Sequence, residues 1–250
     1  MTANLLEVRD LHKRFGGVHV TRGVSLELPA GRRRAIIGPN GAGKSTLFNL
    51  LTGWHRPDSG RMTLDGTDLA GLAPHRIARM GMTRAFQVSK VFPELDVREN
   101  VRVAVHAKAR HTLDLWRPAA GLDRRRAEEI ASDCGLGSVL GERAGLLSQG
   151  DRKKLELAMA VAGEPRVLLL DEPTAGMSVQ ETIETMRLVD DLNARLGIAI
   201  LFTEHDMGVV FNHADTISLL HRGRLLVSGT PDEIRADATV RSVYLGEEVE

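Results

Sequence analysis

The sequence predicts an α/β fold with a mainly parallel core sheet, and three stretches carry that prediction. The first is Gly38-Pro39-Asn40-Gly41-Ala42-Gly43-Lys44-Ser45-Thr46, which fits G-x-x-x-x-G-K-[ST]. A short apolar strand, Arg34 to Ile37, leads into it, and helical spacing over Thr46 to Leu51 leads out. The second is Val167-Leu168-Leu169-Leu170, a buried-strand run ending in Asp171-Glu172. The third is Ile198 to Phe202, a similar run with Thr203-Glu204-His205 beyond it. Strands covered on both faces read as continuous apolar runs.

Strand, glycine loop, helix is the context that a phosphate-binding loop requires. Gly38, Gly41 and Gly43 let the backbone curl so that successive N–H groups face one anion. The helix starting near Lys44 adds its positive dipole end. Lys44 places a point charge at the β- and γ-phosphates, and the Ser45 hydroxyl suits Mg²⁺, which wants oxygen ligands. The four fixed positions alone arise by chance in roughly one chain in a hundred of this size.

Two carboxylates at the C-terminal end of a parallel strand sit where α/β proteins bind ligands. Asp171 is the candidate Mg²⁺ carboxylate, and Glu172 the candidate that orients or deprotonates an attacking water. His205 stands beyond its strand in a matching context, and the other histidines carry no signal.

Bulk composition narrows the partners. At 250 residues the chain forms one domain, or one domain with a subdomain. Lys and Arg total 33 and so do Asp and Glu, which gives no overall basic field toward nucleic acid or an anionic membrane. The one cysteine, Cys134, has no internal disulfide partner, which suits a reducing compartment. The start of the chain shows no secretory signal, and no run approaches the roughly 18 apolar residues of a membrane span. Membrane association is therefore expected to go through another protein.

In chain order, Leu5 to Val8 and Val24 to Leu28 read as strands flanking Gly16-Gly17 in a hairpin-like start. Phe15 lies before those glycines; it reads as a base-stacking ring or as an ordinary core residue. Met62 to Leu64 is a further strand between the turns Pro57-Asp58-Ser59-Gly60 and Asp65-Gly66. Met82 to Phe86 is another, with Gln87 after it. From about residue 90 to 150 the character turns helical, with Val97 to Ala109 and Arg124 to Cys134 as helices of an inserted subdomain. The basic clusters His106 to His111 and Arg124 to Arg126 read as solvated faces. Leu147-Ser148-Gln149-Gly150-Asp151 precedes a helical run, Arg152 to Ala162, and forms a second helix-start anion site. The chain closes with strands over Thr216 to Leu220 and Leu225 to Val227, a short helix at Asp232 to Arg235, and a last helical turn over Val240 to Leu245.

Taken together, these pieces resemble the ATP-binding subunits of ABC transporters over nearly the full length. The order matches that family: an aromatic at Phe15, Walker A from Gly38 to Thr46, a Q-loop glutamine at Gln87, a signature from Leu147 to Asp151. Walker B with its glutamate follows at Val167 to Glu172, then a D-loop at Ala175 to Ser178 and a switch histidine at His205. Asp171 to Ser178, Thr203 to Met207 and the tail Val243-Tyr244-Leu245-Gly246 look like the branched-chain amino-acid importer branch, with urea-importer ATPases close to it. The signature lacks the usual first glycine and the glutamine, and the D-loop ends in Ser178 where the wider family has Asp.

The resemblance implies an ABC-type P-loop NTPase with an antiparallel β subdomain, a core of about 1–88 and 163–250, and a helical subdomain of about 89–162. It implies ATP and Mg²⁺, with Phe15 stacking on adenine and Gly38, Pro39, Asn40, Gly41, Ala42, Gly43, Lys44, Ser45 and Thr46 around the phosphates. Ser45, Gln87 and Asp171 would serve Mg²⁺; Glu172, His205, Gln87 and Lys44 would carry catalysis. Ser148 and Gly150 would meet the ATP of a second ATPase subunit, a copy or a paralogue, paired head to tail. The further partners would be permease subunits at the cytoplasmic face of the membrane, contacted through Val88 to Glu94, and indirectly a substrate-binding protein. The competing readings are a non-transport ABC ATPase acting on DNA and a regulatory module without hydrolysis. The first carries long coiled-coil inserts, and the interval between Thr46 and Leu147 shows no heptads. Glu172 and His205 argue against the second.

Overall fold

The computed structural model describes residues 4–85, 91–108 and 119–245, with backbone alone for 119–122 and 244–245. The chain opens as a hairpin of β1 (Asn4–Phe15) and β2 (Val18–Pro29), turning at Gly16-Gly17. Both strands are longer than the apolar stretches that announce them, because their outer halves alternate charged and half-buried residues. β4 (Ser59–Leu64) and β5 (Thr67–Asp68) join them in an antiparallel sheet of order β2-β1-β4-β5.

The second sheet is the core. Among the described residues its order is β10-β9-β3-β8-β7-β6, from β3 (Arg33–Ile37), β6 (Met82–Ala85), β7 (Val167–Asp171), β8 (Ala199–Thr203), β9 (Thr216–His221) and β10 (Arg224–Gly229). β9, β3, β8, β7 and β6 run parallel, and β10 adds an antiparallel edge.

Alternation sets the two faces. Ala35, Ile37, Leu168, Leu170, Ile200 and Phe202 share one buried cluster with α5 (Gln149–Ala162) and α6 (Val179–Leu196). Ile36, Leu169 and Leu201 share the other with α1 (Lys44–Leu51) and the antiparallel sheet. Both faces of the central strands are therefore dry, which is why those strands read as unbroken apolar runs.

α2 (Pro74–Arg79) precedes β6. α3 (Val97–Lys108) and α4 (Ala119–Asp133) pack with α5 as the helical part, on the Ala35 side of the sheet. Arg124 and Arg125 on α4 pair with Glu128 and Glu129 one turn on, each at 3.1 Å, as a solvated face would. α7 (Met207–His213), α8 (Pro231–Ala236) and α9 (Ala238–Leu245) close the chain.

Two helix starts need correcting. α4 begins at Ala119 rather than Arg124. α5 begins at Gln149 rather than Arg152, because the Ser148 hydroxyl accepts from the Asp151 amide at 3.1 Å and caps the helix earlier.

Candidate active site

The sheet order places three functional stretches at one edge. β3, β8 and β7 are neighbours, and the register pairs Ile36 with Thr203 and Asp171 with Thr203. The glycine loop after β3, Asp171-Glu172 after β7 and Glu204-His205 after β8 thus leave the sheet side by side.

The loop is clamped by backbone. A Cβ on Gly38 would lie 2.1 Å from the Leu220 carbonyl oxygen, and one on Gly43 would lie 3.0 Å from that of Val20. Ala42 and Gly223 bond through their backbones at 2.9 Å, and Arg22 bonds Gly223 at 2.8 Å. Both sheets therefore grip the loop. A Cβ on Gly41, by contrast, would meet nothing within 4 Å.

Lys44 is buried, and its Nζ donates to Gly38 O at 2.5 Å and Pro39 O at 3.3 Å. Burial pushes its pKa down, while the nearby charges of Glu172 and Asp171 pull it up.

Helix starts differ in a telling way. α5, α6, α7 and α8 are each capped by their own side chain, from Ser148, Ser178, Asp206 and Thr230. α1 starts at Gly43 with no side-chain cap and no acidic residue in its first turn, a state shared with the six-residue α2, whose first residue Pro74 has no N–H to satisfy. Its leading N–H groups have no side-chain acceptor, the condition that an incoming phosphate meets. The donors therefore fit a triphosphate.

Asp171 is 7% exposed and fully engaged. The Thr203 hydroxyl donates to its Oδ1 at 2.7 Å, and the Arg84 guanidinium donates to its Oδ2 at 2.5 Å. Asp171 and Ser45 are hard oxygen donors but too few to hold a cation alone. Such a set fits Mg²⁺, which is commonly bound by one or two protein oxygens plus substrate phosphates.

Glu172 sits next door with φ +52°, a left-handed backbone rare outside glycine. Its N–H bonds both the Thr203 carbonyl at 3.1 Å and the Thr203 hydroxyl at 3.2 Å, so β8 holds that conformation in place. Its Oε1 lies 3.0 Å from His205 Nε2. The two candidate catalytic side chains thus share a hydrogen bond across neighbouring strand ends.

Three residues matter here that sequence reasoning did not single out. Arg84 is one. Glu204 is another: it is 3% exposed, and it accepts from the Thr174 amide and hydroxyl at 2.7 and 2.8 Å and from the His205 amide at 3.2 Å. Lys153 on α5 is the third, with Nζ donating to the carbonyls of Glu172, Pro173 and Ala175 at 3.2, 3.0 and 3.1 Å. Burial pushes the Lys153 pKa down. Glu204 anchors the chain after Glu172 to the sheet, and Lys153 anchors it to α5.

Phe15 ends β1 at 41% exposure, edge-on to His55 with ring centroids 5.0 Å apart and Lys13 Nζ 5.4 Å from its centroid. That exposure sets aside the core reading. Ser148 and Gly150 open α5, where a Cβ on Gly150 would lie 2.9 Å from Glu181 Oε1 on α6. Gln87 lies outside the described residues, as do Val88 to Lys90.

Comparison with known proteins agrees with this geometry. The ABC transporter family matches residues 21–175, and the family described as branched-chain amino acid ATP-binding cassette transporter matches residues 224–250. The chain is 38% identical to the high-affinity branched-chain amino acid transport ATP-binding protein BraF of Pseudomonas aeruginosa, over 99% of this chain and 100% of that protein. It is 40% identical to the corresponding protein LivG of Salmonella typhimurium, with the same coverage. The ADP conformation of MJ1267, an ATP-binding cassette of an ABC transporter, superposes with a TM-score of 0.88 at 29% identity, over 98% of this chain and 100% of that one. A family match over more than half the chain, and relatives that span nearly all of it, lead to one conclusion: this chain belongs to the ABC transporter family.

Proposed function

We propose that the chain is the ATP-hydrolysing subunit of an importer for branched-chain or related amino acids, working against a permease at the cytoplasmic face of the membrane. The observation that carries the hydrolytic part is the 3.0 Å bond between Glu172 Oε1 and His205 Nε2 beside the uncapped phosphate loop. The cargo follows from the relatives, whose names are those of branched-chain amino acid transport proteins, and from the match of residues 224–250.

Each residue then has a role. The Phe15 ring stacks on adenine. The amides of residues 38 to 46 and the Lys44 ammonium hold the β- and γ-phosphates. Ser45 and Asp171, with Gln87, face Mg²⁺, which when bound neutralises charge on those phosphates. Glu172 accepts a proton from, or orients, the attacking water, and His205 contacts the γ-phosphate. The chemistry is positioning and charge stabilisation, and the protein stays unmodified. Ser148 and Gly150 serve the ATP of a partner ATPase subunit in a head-to-tail pair, a copy or a paralogue.

Residues 1–88 and 163–250 act as the nucleotide-binding core, and 89–162 as the helical subdomain that meets the permease. Val88 to Glu94 is the contact segment; of it, Phe92 is 46% exposed. Asn100, fully buried, exchanges bonds with the Phe92 backbone at 2.7 and 3.0 Å and stiffens that turn. Among the described residues no helix is long and apolar enough to cross a membrane, so the permease supplies the attachment. A substrate-binding protein delivers the cargo to that permease, and the balanced charge offers nucleic acid nothing.

The test is a pull-down of tagged Glu172→Gln from native membranes in Mg-ATP, with steady-state ATPase measured beside it. Glu172→Gln should retain ATP and lose most turnover, and permease subunits with a second ATPase should co-purify. Wild-type turnover would refute the role of Glu172. Soluble or DNA-associated partners alone would move the assignment to a non-transport ABC ATPase.

A further inference from the structure

The Asp171 carboxylate is nearly closed off from water, at 7% exposure. A charge so placed needs a cation beside it. Lys44 is near enough to feel that charge, but its ammonium is directed at Gly38 O and Pro39 O. Arg84 on β6 supplies the direct contact, with Nη2 2.5 Å from Asp171 Oδ2 and its own side chain 11% exposed.

The guanidinium is braced from a third element. Its Nη1 donates to Asn49 Oδ1 at 2.6 Å, and its Cζ lies 5.4 Å from the centre of the Phe48 ring. Asn49 and Phe48 belong to α1, the helix that the phosphate loop opens. Arg84 thus joins β6, β7 and α1 directly behind the phosphate site. Its Nε is buried with no hydrogen-bond partner. Its contacts to Asp171 and Asn49 thus run through its two terminal nitrogens alone, at the end of a long side chain.

We propose that Arg84 is a positioning residue that stands in for the magnesium charge: it balances and aims Asp171 while the nucleotide site is empty, and gives the carboxylate up when Mg²⁺ arrives with ATP. The exchange would be one cation for another at the Asp171 carboxylate. Its consequence is that Arg84 competes with Mg²⁺ and tempers the gain in ATP affinity that the metal brings. This rests on the proposed role of Asp171 toward Mg²⁺.

The test uses the full chain carrying Glu172→Gln, so that ATP is not consumed. ATP affinity is measured by calorimetry in EDTA and in saturating Mg²⁺, and the ratio of the two dissociation constants is the readout. Arg84→Met keeps the length and removes the charge; the ratio of the constant in EDTA to that in Mg²⁺ should rise at least about tenfold. Arg84→Lys keeps a cation and should fall clearly below the Met variant. A ratio that rises less than about threefold in Arg84→Met, or falls, overturns the proposal, as does a Lys variant equal to Met. Leaving a buried charge unpaired is worth upward of about a hundredfold, so these limits are conservative.

If Arg84→Met does not fold, the double variant Arg84→Met/Asp171→Asn decides. With no carboxylate to balance it should fold, and its failure to do so overturns the proposal. Failure of the underlying assignment looks different: Asp171→Asn in the same background would then leave the magnesium effect intact.

Discussion

Thr203→Val tests how the site is held, because one hydroxyl serves both carboxylate residues. Thr203 is fully buried in the middle of the strand ends. Its Oγ1 donates to Asp171 Oδ1 at 2.7 Å and accepts from the Glu172 amide at 3.2 Å. Valine has nearly the same shape and no hydroxyl, so the change removes bonds and little volume. A hydrogen bond to a charged acceptor contributes about 1.5–3 kcal/mol. The Glu172 amide keeps its bond to the Thr203 carbonyl, so its loss adds only about 0.5 kcal/mol. The sum is about 2–3.5 kcal/mol of stability, read as a lower urea midpoint at unchanged m. For a chain of this size each kcal/mol corresponds to roughly 2–4 °C in Tm. Hydrolysis should fall about 10–100-fold, the usual effect of removing a group that orients a metal-facing carboxylate. Thr203→Ser is the control: it keeps the hydroxyl and should cost only about 1 kcal/mol for the lost methyl. A valine variant within about 0.5 kcal/mol of the parent, or a serine variant as damaged as valine, would refute this reasoning.

Further outcomes follow from other contacts. Lys44→Ala should weaken ATP binding by about 30–100-fold, since it removes a charge-assisted phosphate contact of roughly 2–3 kcal/mol; an unchanged dissociation constant in calorimetry would count against that role. Asp190→Asn carries a pH signature. Burial raises the Asp190 pKa, but hydrogen bonds from His213 and Arg33 outweigh it and leave the carboxyl below its ordinary value. Its stabilisation is thus complete above the unfolded carboxylate pKa and vanishes as pH falls through the folded one. The variant should lose about 1.5–3 kcal/mol at neutral pH, and the gap should close in acid below about 3.9. A gap independent of pH would rule that account out. Cys134 is fully buried, and burial, with Asp133 beside it, pushes its thiol up to about 12. A disulfide reagent at mildly alkaline pH should leave it untouched until the chain unfolds, and prompt labelling of native protein would contradict the structure.

Much of the fold was legible because its signals are local. The glycine loop between β3 and α1, and the apolar runs of β7 and β8, are written within a few residues each. α6 carries local signals of the same kind: Ser178 and Glu181 form a capping box, Met186, Val189 and Leu192 repeat on one face, and Gly197 ends the helix. The site divides along the same line. Lys44, Asp171, Glu172 and His205 stand at positions that motif and strand end mark out. Arg84, Lys153 and Glu204 do not. Each is an ordinary charged residue until the fold delivers a partner, and those partners are distant: Arg84 meets Asp171 across 87 positions, and Thr174 meets Glu204 across 30. Spacing cannot announce a pairing that the sheet order creates.

The left-handed backbone at Glu172 also sets stability against activity at a single position. A non-glycine residue in that conformation costs of order 1–3 kcal/mol, and glycine takes it without strain. Glu172→Gly should therefore relax that strain, less the larger chain entropy that glycine loses on folding. On the role proposed for Glu172 the same change would end turnover, so stability and hydrolysis pull on this one position in opposite directions.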